Sequence, residues 1–308
     1  MKKICLLISV LALNTASAAG SPDVAKYLAQ RGWTAYDSKA RLAIPANDIA
    51  PLTYYAKNAN VPSCGLLAGT ANAPKFIDIL STEPGEQYPH CAAINDVAAF
   101  KLAGKDYLVF EYSDRDTRNE TYEQFFYVYK DKAGEYIADA QLNEGAGAND
   151  DNKKPTAKAG PKASEGIRLA RAYAIKQAQP GMELQARDLV ADGTGAFAVY
   201  KDKTSASCTF VVDNGTELSK FGSELFAERG KCINYLASSK LDTPAKTYYL
   251  GMFKGGDAAT RIAVFSVAKD TATVRAEREL AQAAASTGKI ADVKSLKAYL
   301  VKHAGPHW

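Results

Sequence analysis

Apolar and polar residues alternate over several short segments of this chain, and this period of two is typical of β-strands. The strands predicted in this way are residues 76–80, 107–112, 125–129, 136–138, 196–200, 208–212, 247–253 and 261–267. Apolar residues at helical spacing predict helices over 23–31, 167–177, 273–285 and 292–303. The pattern therefore predicts an α+β fold of mainly antiparallel sheets with helices packed on one side.

The two halves of the chain show the same order of landmarks. Cys64 is followed by Cys91 after 27 positions, and Cys208 is followed by Cys232 after 24 positions. In each half a predicted hairpin comes after the second cysteine and ends in a Lys-Asp pair. The sequence therefore predicts two tandem related domains, each a mainly antiparallel sheet with helices and one disulfide.

A polar segment rich in glycine, alanine and charge separates the two halves. Such a composition cannot bury a core, so the segment is interpreted as a flexible linker. The predicted organisation is a signal peptide over 1–19, an N-terminal domain over 20–140, a linker over 141–163 and a C-terminal domain over 164–308.

The first residues predict export from the cytoplasm. A basic start at Lys2 and Lys3 precedes an apolar run over 4–13 and a small-residue cleavage site at Ala16-Ser17-Ala18. The short lysine-rich start favours a bacterial periplasm. No later apolar run has the length of a membrane helix, so no membrane span is expected.

Four cysteines remain after removal of the signal, and an oxidising compartment favours disulfides over metal or catalytic roles. If each half folds alone, the bonds are Cys64 to Cys91 and Cys208 to Cys232. Closing loops of this size contributes about 3–4 kcal/mol per bond on a chain-entropy model. The alternative is a pair of buried free thiols in each half.

Charge argues against a nucleic-acid partner. The formal net charge is +4, and without Lys2 and Lys3 it falls to about +2. Nucleic-acid binding needs a concentrated basic face, whereas the lysine cluster around Lys153 and Lys154 lies in the predicted linker. We therefore expect no nucleic-acid partner.

Motifs for enzymatic chemistry are missing from the sequence. The chain has three histidines, and the motifs of serine hydrolases, zinc proteases and phosphate-binding loops do not occur. The glycines at 193 and 195 precede a predicted strand and are interpreted as a turn, because a phosphate site needs a helix there. We therefore expect no enzyme activity, no cofactor and no metal site.

A charged loop and an aromatic strand face are the candidate binding residues. The partner-binding candidates are Asp114, Arg115, Asp116, Arg118, Phe125, Tyr127 and Tyr129. Alternating charges can give salt-bridge specificity, and a row of aromatic rings is typical of protein interfaces and carbohydrate platforms. Two alternatives stay open: the loop is a solvated hairpin tip, and the aromatic face is covered by a helix or by the other domain.

Compartment, disulfides and missing motifs together favour a periplasmic binding or inhibitor protein whose partner is another protein. One hypothesis is an immunity protein that neutralises a toxin delivered to the periplasm. The alternative is a binding module for envelope carbohydrates or peptides. A third hypothesis, a carboxylate-dependent hydrolase, would require a pocket with two facing carboxylates.

Overall fold

Antiparallel sheets make up most of the described chain. The computed structural model describes residues 22–36, 42–70, 72–80, 84–85, 87, 90–115, 121–147, 163–184, 190–204, 207–222, 234–255 and 259–303. The strands are β1 Thr34–Ala35, β2 Ile49–Tyr55, β3 Ser63–Thr70, β4 Ala73–Leu80, β5 Ala93–Leu102, β6 Lys105–Arg115, β7 Thr121–Lys130, β8 Tyr136–Ala138, β9 Glu183–Leu184, β10 Val190–Ala191, β11 Ala196–Lys201, β12 Cys208–Asp213, β13 Leu218–Phe221, β14 Asn234–Asp242, β15 Lys246–Lys254, β16 Thr260–Ala268 and β17 Val274–Ala276. The helices are α1 Val24–Arg31, α2 Ala140–Leu142, α3 Ala163–Gln177, α4 Arg278–Ser286 and α5 Val293–His303, and a π-helical turn, Asn143–Gly147, follows α2.

Each sheet is a meander in which strands adjacent in sequence are hydrogen-bonded, except that β9 pairs with β11 and not with β10. The first sheet is β1–β4, the second is β5–β8, the third is β9–β13 and the fourth is β14–β17. In the third sheet β9 and β10 pair with different parts of the same strand, β11. The prediction of a sheet-rich α+β fold is confirmed.

The predicted strands all lie within observed strands, but one predicted helix is partly wrong. Residues 273–285 were predicted to be helical throughout, whereas Val274–Ala276 pairs with β16 and the helix begins at Arg278. Val274 and Ala276 pack against the core of the neighbouring sheets, and this tertiary contact selects the extended conformation.

The first and second sheets pack face to face as a sandwich. Its core contains Leu66 and Ile77 of the first sheet and Phe110, Phe126 and Val128 of the second. A disulfide joins Cys64 and Cys91 in the same core, as the sequence predicts. Cys232 lies outside the described residues, so the second bond, and with it one disulfide per domain, stays a prediction.

The third and fourth sheets form a second sandwich of the same kind. Phe197 and Phe210 of the third sheet pack against Tyr249, Phe253 and Phe265 of the fourth. Helices α4 and α5 cover the outer face of the fourth sheet. Helix α1 covers the outer face of the first sheet in the other sandwich.

Helix α3 lies between the two sandwiches and contributes to both. Ile167 and Ala170 pack on the outer face of the second sheet, and Ile175 packs on the third sheet. Backbone hydrogen bonding also joins the sandwiches, because Gly104 N donates to Thr216 O.

The described ends of the predicted linker are packed rather than loose. Leu142, Ala146 and Ala163 are buried in the same cluster as the second sheet, because their apolar side chains cover its outer face. Residues 148–162 lie outside the described residues. The division into domains stays a prediction.

Candidate functional site

The aromatic face predicted to bind a partner is buried under α3. Phe125 and Tyr127 are 4% and 0% exposed, and half-buried Tyr129 packs against the same cluster. The Tyr127 hydroxyl donates a hydrogen bond to Gly166 O at 2.9 Å. A Cβ atom at Gly166 would lie 2.6 Å from Phe125 Cδ1, so glycine lets the helix approach the rings closely.

This burial corrects the assignment of Phe125 and Tyr127 as partner-binding residues, whereas a binding role for half-buried Tyr129 stays a prediction. The alternative, that a helix covers the face, describes the structure. Burial also raises the pKa of the Tyr127 hydroxyl well above its ordinary value, so this group stays protonated. The aromatic ladder is a packing surface for α3.

The charged loop is described only at its base. Asp114 and Arg115 are half-buried at the end of β6, where they pair with Tyr122 and Thr121 of β7. Asp116 and Arg118 lie outside the described residues. A binding role for this loop therefore stays a prediction.

A polar cleft opens between the third and fourth sheets, at the end where β16 turns into β17. We call it the charged cleft, and its volume is about 540 Å³. Its walls come from the turns at the ends of β10, β12 and β16 and from β14 and β15. Residues that line it include Thr194, Asp213, Lys240, Asp242, Tyr249 and Lys269.

A buried ion pair holds one wall of the charged cleft. Arg171 of α3 donates to Asp213 Oδ2 at 2.6 Å, and both side chains are almost fully buried. The other carboxylate oxygen accepts a hydrogen bond from Gly215 N at 2.8 Å. Burial raises the pKa of Asp213, although Arg171 counteracts part of this effect. Because both oxygens are engaged, Asp213 holds α3 and the β12–β13 turn in place.

A lysine between two carboxylates forms the opposite wall. Lys240 Nζ contacts Asp192 Oδ2, lies 3.1 Å from Asp242 Oδ2 and donates to Thr194 Oγ1 at 2.9 Å. Burial acts to raise the pKa of Asp192, but hydrogen bonds from Lys240 and Thr194 outweigh it and lower the pKa. Thr247 Oγ1 donates to Asp242 Oδ1 at 2.7 Å. These bonds fix the ammonium group before any ligand arrives.

The tight turn before β11 is part of this wall. Asp192 Oδ1 accepts from Thr194 N at 2.7 Å and from Gly195 N at 3.2 Å. The interpretation of the glycines at 193 and 195 as a turn is confirmed, because β11 follows directly.

An aromatic hydroxyl lies on the floor of the charged cleft. The ring of Tyr249 stacks on Phe197 with centroids 5.8 Å apart. Burial, reinforced by Asp192 and Asp213, raises the pKa of Tyr249 and keeps its hydroxyl neutral. A Cβ atom at Gly195 would collide with this hydroxyl, so glycine leaves the space that it occupies.

Hydrogen bonds across the turns keep the charged cleft in shape. Asn214 Nδ2 donates to Ala272 O at 2.6 Å, which ties the β12–β13 turn to the β16–β17 turn. Lys269 Nζ donates to Thr243 O. Groups held in this way lose little entropy when a ligand binds.

The charges around the cleft balance, with the carboxylates of Asp192, Asp213 and Asp242 matched by Arg171, Lys240 and Lys269. In the part of the chain that the structure describes, no group of three or more His, Cys, Asp or Glu residues could hold a metal ion. The described helices are all too short or too polar to cross a membrane. The cleft therefore offers hydrogen-bond donors and acceptors in a neutral setting.

Comparison with known proteins gives only distant matches. No family model matches the chain, and no curated protein is similar to it. A GH32 β-fructofuranosidase from Bombyx mori aligns with 80% of this chain and 48% of its own, at 10% identity and a TM-score of 0.20. For a thermostable family-43 glycoside hydrolase the coverages are 82% and 78%, the identity is 11% and the TM-score is 0.22. An α-L-arabinofuranosidase from Podospora anserina aligns with 79% of this chain and 70% of its own, at 12% identity and a TM-score of 0.20.

The chain spans about half the length of the Bombyx mori enzyme, and TM-scores near 0.2 are too low to transfer a fold or an activity. The matches nevertheless correct one expectation. The sequence led us to expect a protein without enzyme activity, whereas the matched structures are enzymes. That expectation is not maintained.

Proposed function

We propose that this protein binds a small, neutral, polyhydroxylated ligand of the cell envelope in the charged cleft. The ligand class is a monosaccharide or disaccharide of an envelope glycan. The observation that carries this proposal is the ammonium group of Lys240, held between the carboxylates of Asp192 and Asp242, in a cleft that Tyr249 also lines.

Hydroxyl groups suit such a cleft because each can donate one hydrogen bond and accept others. Carboxylate oxygens of Asp242 accept such bonds, and the ammonium group of Lys240 donates them. Because the charges already cancel, a charged ligand would gain little and would lose its hydration. A neutral ligand with many hydroxyls fits this balance.

The size of the cleft agrees with a small ligand. Pockets for small molecules commonly have volumes of about 300–1,000 Å³, and the charged cleft measures about 540 Å³. Tyr249 is largely buried, and because it lines the cleft its hydroxyl can offer one polar contact to a sugar.

The protein-inhibitor hypothesis has lost its main surface, because Phe125 and Tyr127 are buried. Three large apolar side chains are exposed among the described residues: Tyr36 follows β1, Leu236 lies on β14 and Val301 lies on α5. An interface core normally needs such side chains together. A role in toxin immunity, export by a signal peptide and a periplasmic location stay predictions.

Isothermal titration and protein NMR with the full chain test the proposal. The probes are glucose, galactose, N-acetylglucosamine, their disaccharides and, as a peptide arm, D-Ala-D-Ala. We expect a sugar of this set to bind and to shift signals of Thr194, Lys240 and Tyr249. The same spectra would reveal cleavage of a disaccharide.

Two matched variants locate the binding. Tyr249→Phe removes only the hydroxyl on the floor and is expected to weaken sugar binding about tenfold, which corresponds to one hydrogen bond of about 1.4 kcal/mol. Tyr248→Phe, whose ring lies on the opposite face of the fourth sheet, should bind as the unchanged protein does. Equal affinity in all three proteins, or no binding of any sugar, would refute the proposal.

A further inference from the structure

A second pocket lies on the outer face of the fourth sheet. We call it the basic pocket, and its volume is about 640 Å³. Its floor includes Ser266 and Ala268 of β16, and its rim includes Lys246, Lys269 and Arg275. We infer that this pocket binds a doubly charged oxyanion, such as a phosphate group, and that it acts independently of the charged cleft.

The pocket exists because small side chains stand where the other half of the chain has rings. Aligning the Lys-Asp pairs at 130–131 and 269–270 places Tyr127 at the position of Ser266 and Tyr129 at the position of Ala268. In the second sheet Tyr129 lies beside Tyr107 and the two rings pack together. In the fourth sheet Ala268 lies beside Lys246. The smaller side chains of Ser266 and Ala268 leave space on the fourth sheet. Lys246 takes the position that Tyr107 has in the second sheet, so an ammonium group replaces a ring there.

The positive charges of the pocket are only partly compensated. Lys246 Nζ lies 3.7 Å from Glu277 Oε1, and Glu277 also accepts a hydrogen bond from Ser266 Oγ at 2.5 Å. Arg275 pairs with Ser266 through the strand backbone, but the residue is exposed and its side chain makes no ion pair or hydrogen bond with any residue that the structure describes. With Asp270 as the one acidic residue on the rim, the pocket keeps an excess of positive charge.

An oxyanion matches this set of groups. A guanidinium group binds phosphate or carboxylate oxygens in a bidentate manner, and ammonium groups add point charges. Arg275 and Lys246, together with Lys269, which this pocket shares with the charged cleft, favour a dianion over a monoanion, because each anionic charge interacts with all the cations. The volume leaves room for a small organic part attached to the anion. Both free phosphate and a phosphate monoester have the required chemistry.

Titration of the full chain at low ionic strength tests the inference, with inorganic phosphate and methyl phosphate as probes, because neither carries a sugar that could enter the charged cleft. We expect binding that weakens as salt is added, because the attraction is electrostatic. Tighter binding of methyl phosphate would identify an ester as the ligand, and equal or weaker binding would identify the free anion.

Arg275→Gln is expected to weaken phosphate binding about tenfold or more, whereas Lys302→Gln, at an exposed lysine of α5, should leave it unchanged. Ala268→Tyr restores the ring of the other half and should close the pocket, with denaturant unfolding as the check that the variant folds. An Arg275→Gln protein that binds phosphate normally, or an equal loss in Lys302→Gln, would overturn the inference. Because Ala268 and Lys269 also border the charged cleft, the independence of the two sites is tested with Tyr249→Phe, which should keep phosphate binding.

Discussion

The outer faces of the second and fourth sheets have corresponding strands but are filled differently. On β7 the outward residues Tyr127 and Tyr129 are rings covered by α3, whereas on β16 the corresponding residues are Ser266 and Ala268. The inward residues are alike, because Phe126 and Phe265 are both buried between sheets. The sandwich interior thus restricts side-chain size in both halves, while the outer face can become either a core or a pocket.

The corners where β7 and β16 end show a similar difference. In the first sandwich Lys130 Nζ lies 2.6 Å from Asp48 Oδ2, and the Tyr136 hydroxyl donates to Asp48 Oδ1 at 3.0 Å. These bonds close the edge between the first and second sheets. In the second sandwich Lys269 donates to Thr243 O instead, and the edge opens into the charged cleft.

Truncation of one outward residue in the second sheet and one in the fourth should produce the largest difference in the free energy of unfolding. Tyr127→Ala is expected to lower the free energy of unfolding by about 3–5 kcal/mol, because a fully buried ring is lost and a cavity remains. Ser266→Ala should lower it by about 1 kcal/mol or less, because only one hydrogen bond is lost. Urea denaturation of both variants measures the two values.

Tyr127→Phe serves as the control for that pair of variants. It keeps the ring and removes the hydrogen bond to Gly166 O, so a loss of about 1 kcal/mol is expected. Similar losses for Tyr127→Ala and Ser266→Ala would mean that the two faces are packed alike.

A pair of glycine substitutions should show a smaller difference. Gly166→Ala would bring Cβ to 2.6 Å from Phe125 and 2.7 Å from Val109, and such overpacking costs about 1–3 kcal/mol. Gly251→Ala in β15 meets its nearest atom at 3.6 Å, so its stability should stay close to that of the unchanged protein. Thermal unfolding compares the two variants, and a destabilised Gly251→Ala with an unaffected Gly166→Ala would contradict the close approach of α3.

The smallest expected effect is the change in stability with acid at the edge between the first and second sheets, where Asp48 contacts Lys130 and Tyr136. Burial acts to raise the pKa of Asp48, but hydrogen bonds from Lys130 and Tyr136 outweigh it and lower the pKa below 3.8. The carboxylate therefore contributes stability above about pH 4, and this contribution is lost as the pH falls through the lowered pKa.

Asp48→Asn should accordingly reduce the free energy of unfolding at neutral pH, by about 0.2–1 kcal/mol for such an exposed pair. The difference from the unchanged protein should shrink in acid. Denaturation at pH 7 and at pH 3 measures both values. A difference that grows in acid would show that the lysine and tyrosine do not stabilise the ionised carboxylate.

Strands with clear alternation were predictable from the sequence, whereas strands of small residues were not. β3 contains Gly65, where a Cβ atom would collide with the ring of Phe76 on β4. The need for glycine at position 65 therefore comes from a contact with the next strand. β17 was predicted as helix because its residues gain their conformation from pairing with β16. Local patterns do not carry such tertiary contacts.

The candidate site was largely beyond prediction from the sequence. Lys240 and Tyr249 are cross-strand partners in the β14–β15 hairpin, but Asp192 is about fifty positions earlier in the chain and meets them only because two sheets stack. The aromatic face was recognised correctly as a row of rings, but its exposure depended on α3. The sequence predicted most of α3 as a helix, but it did not predict that this helix lies across Phe125 and Tyr127.

The placement of α3 decides where this chain can be divided in the laboratory. A recombinant fragment that ends at Gly147 would leave Phe125 and Tyr127 without their covering helix, and their bare rings would promote aggregation. A fragment that begins after Gln177 would retain buried Asp213 without its guanidinium partner. Each half therefore needs the same helix, and expression of the intact chain is the way to obtain either one in its native form.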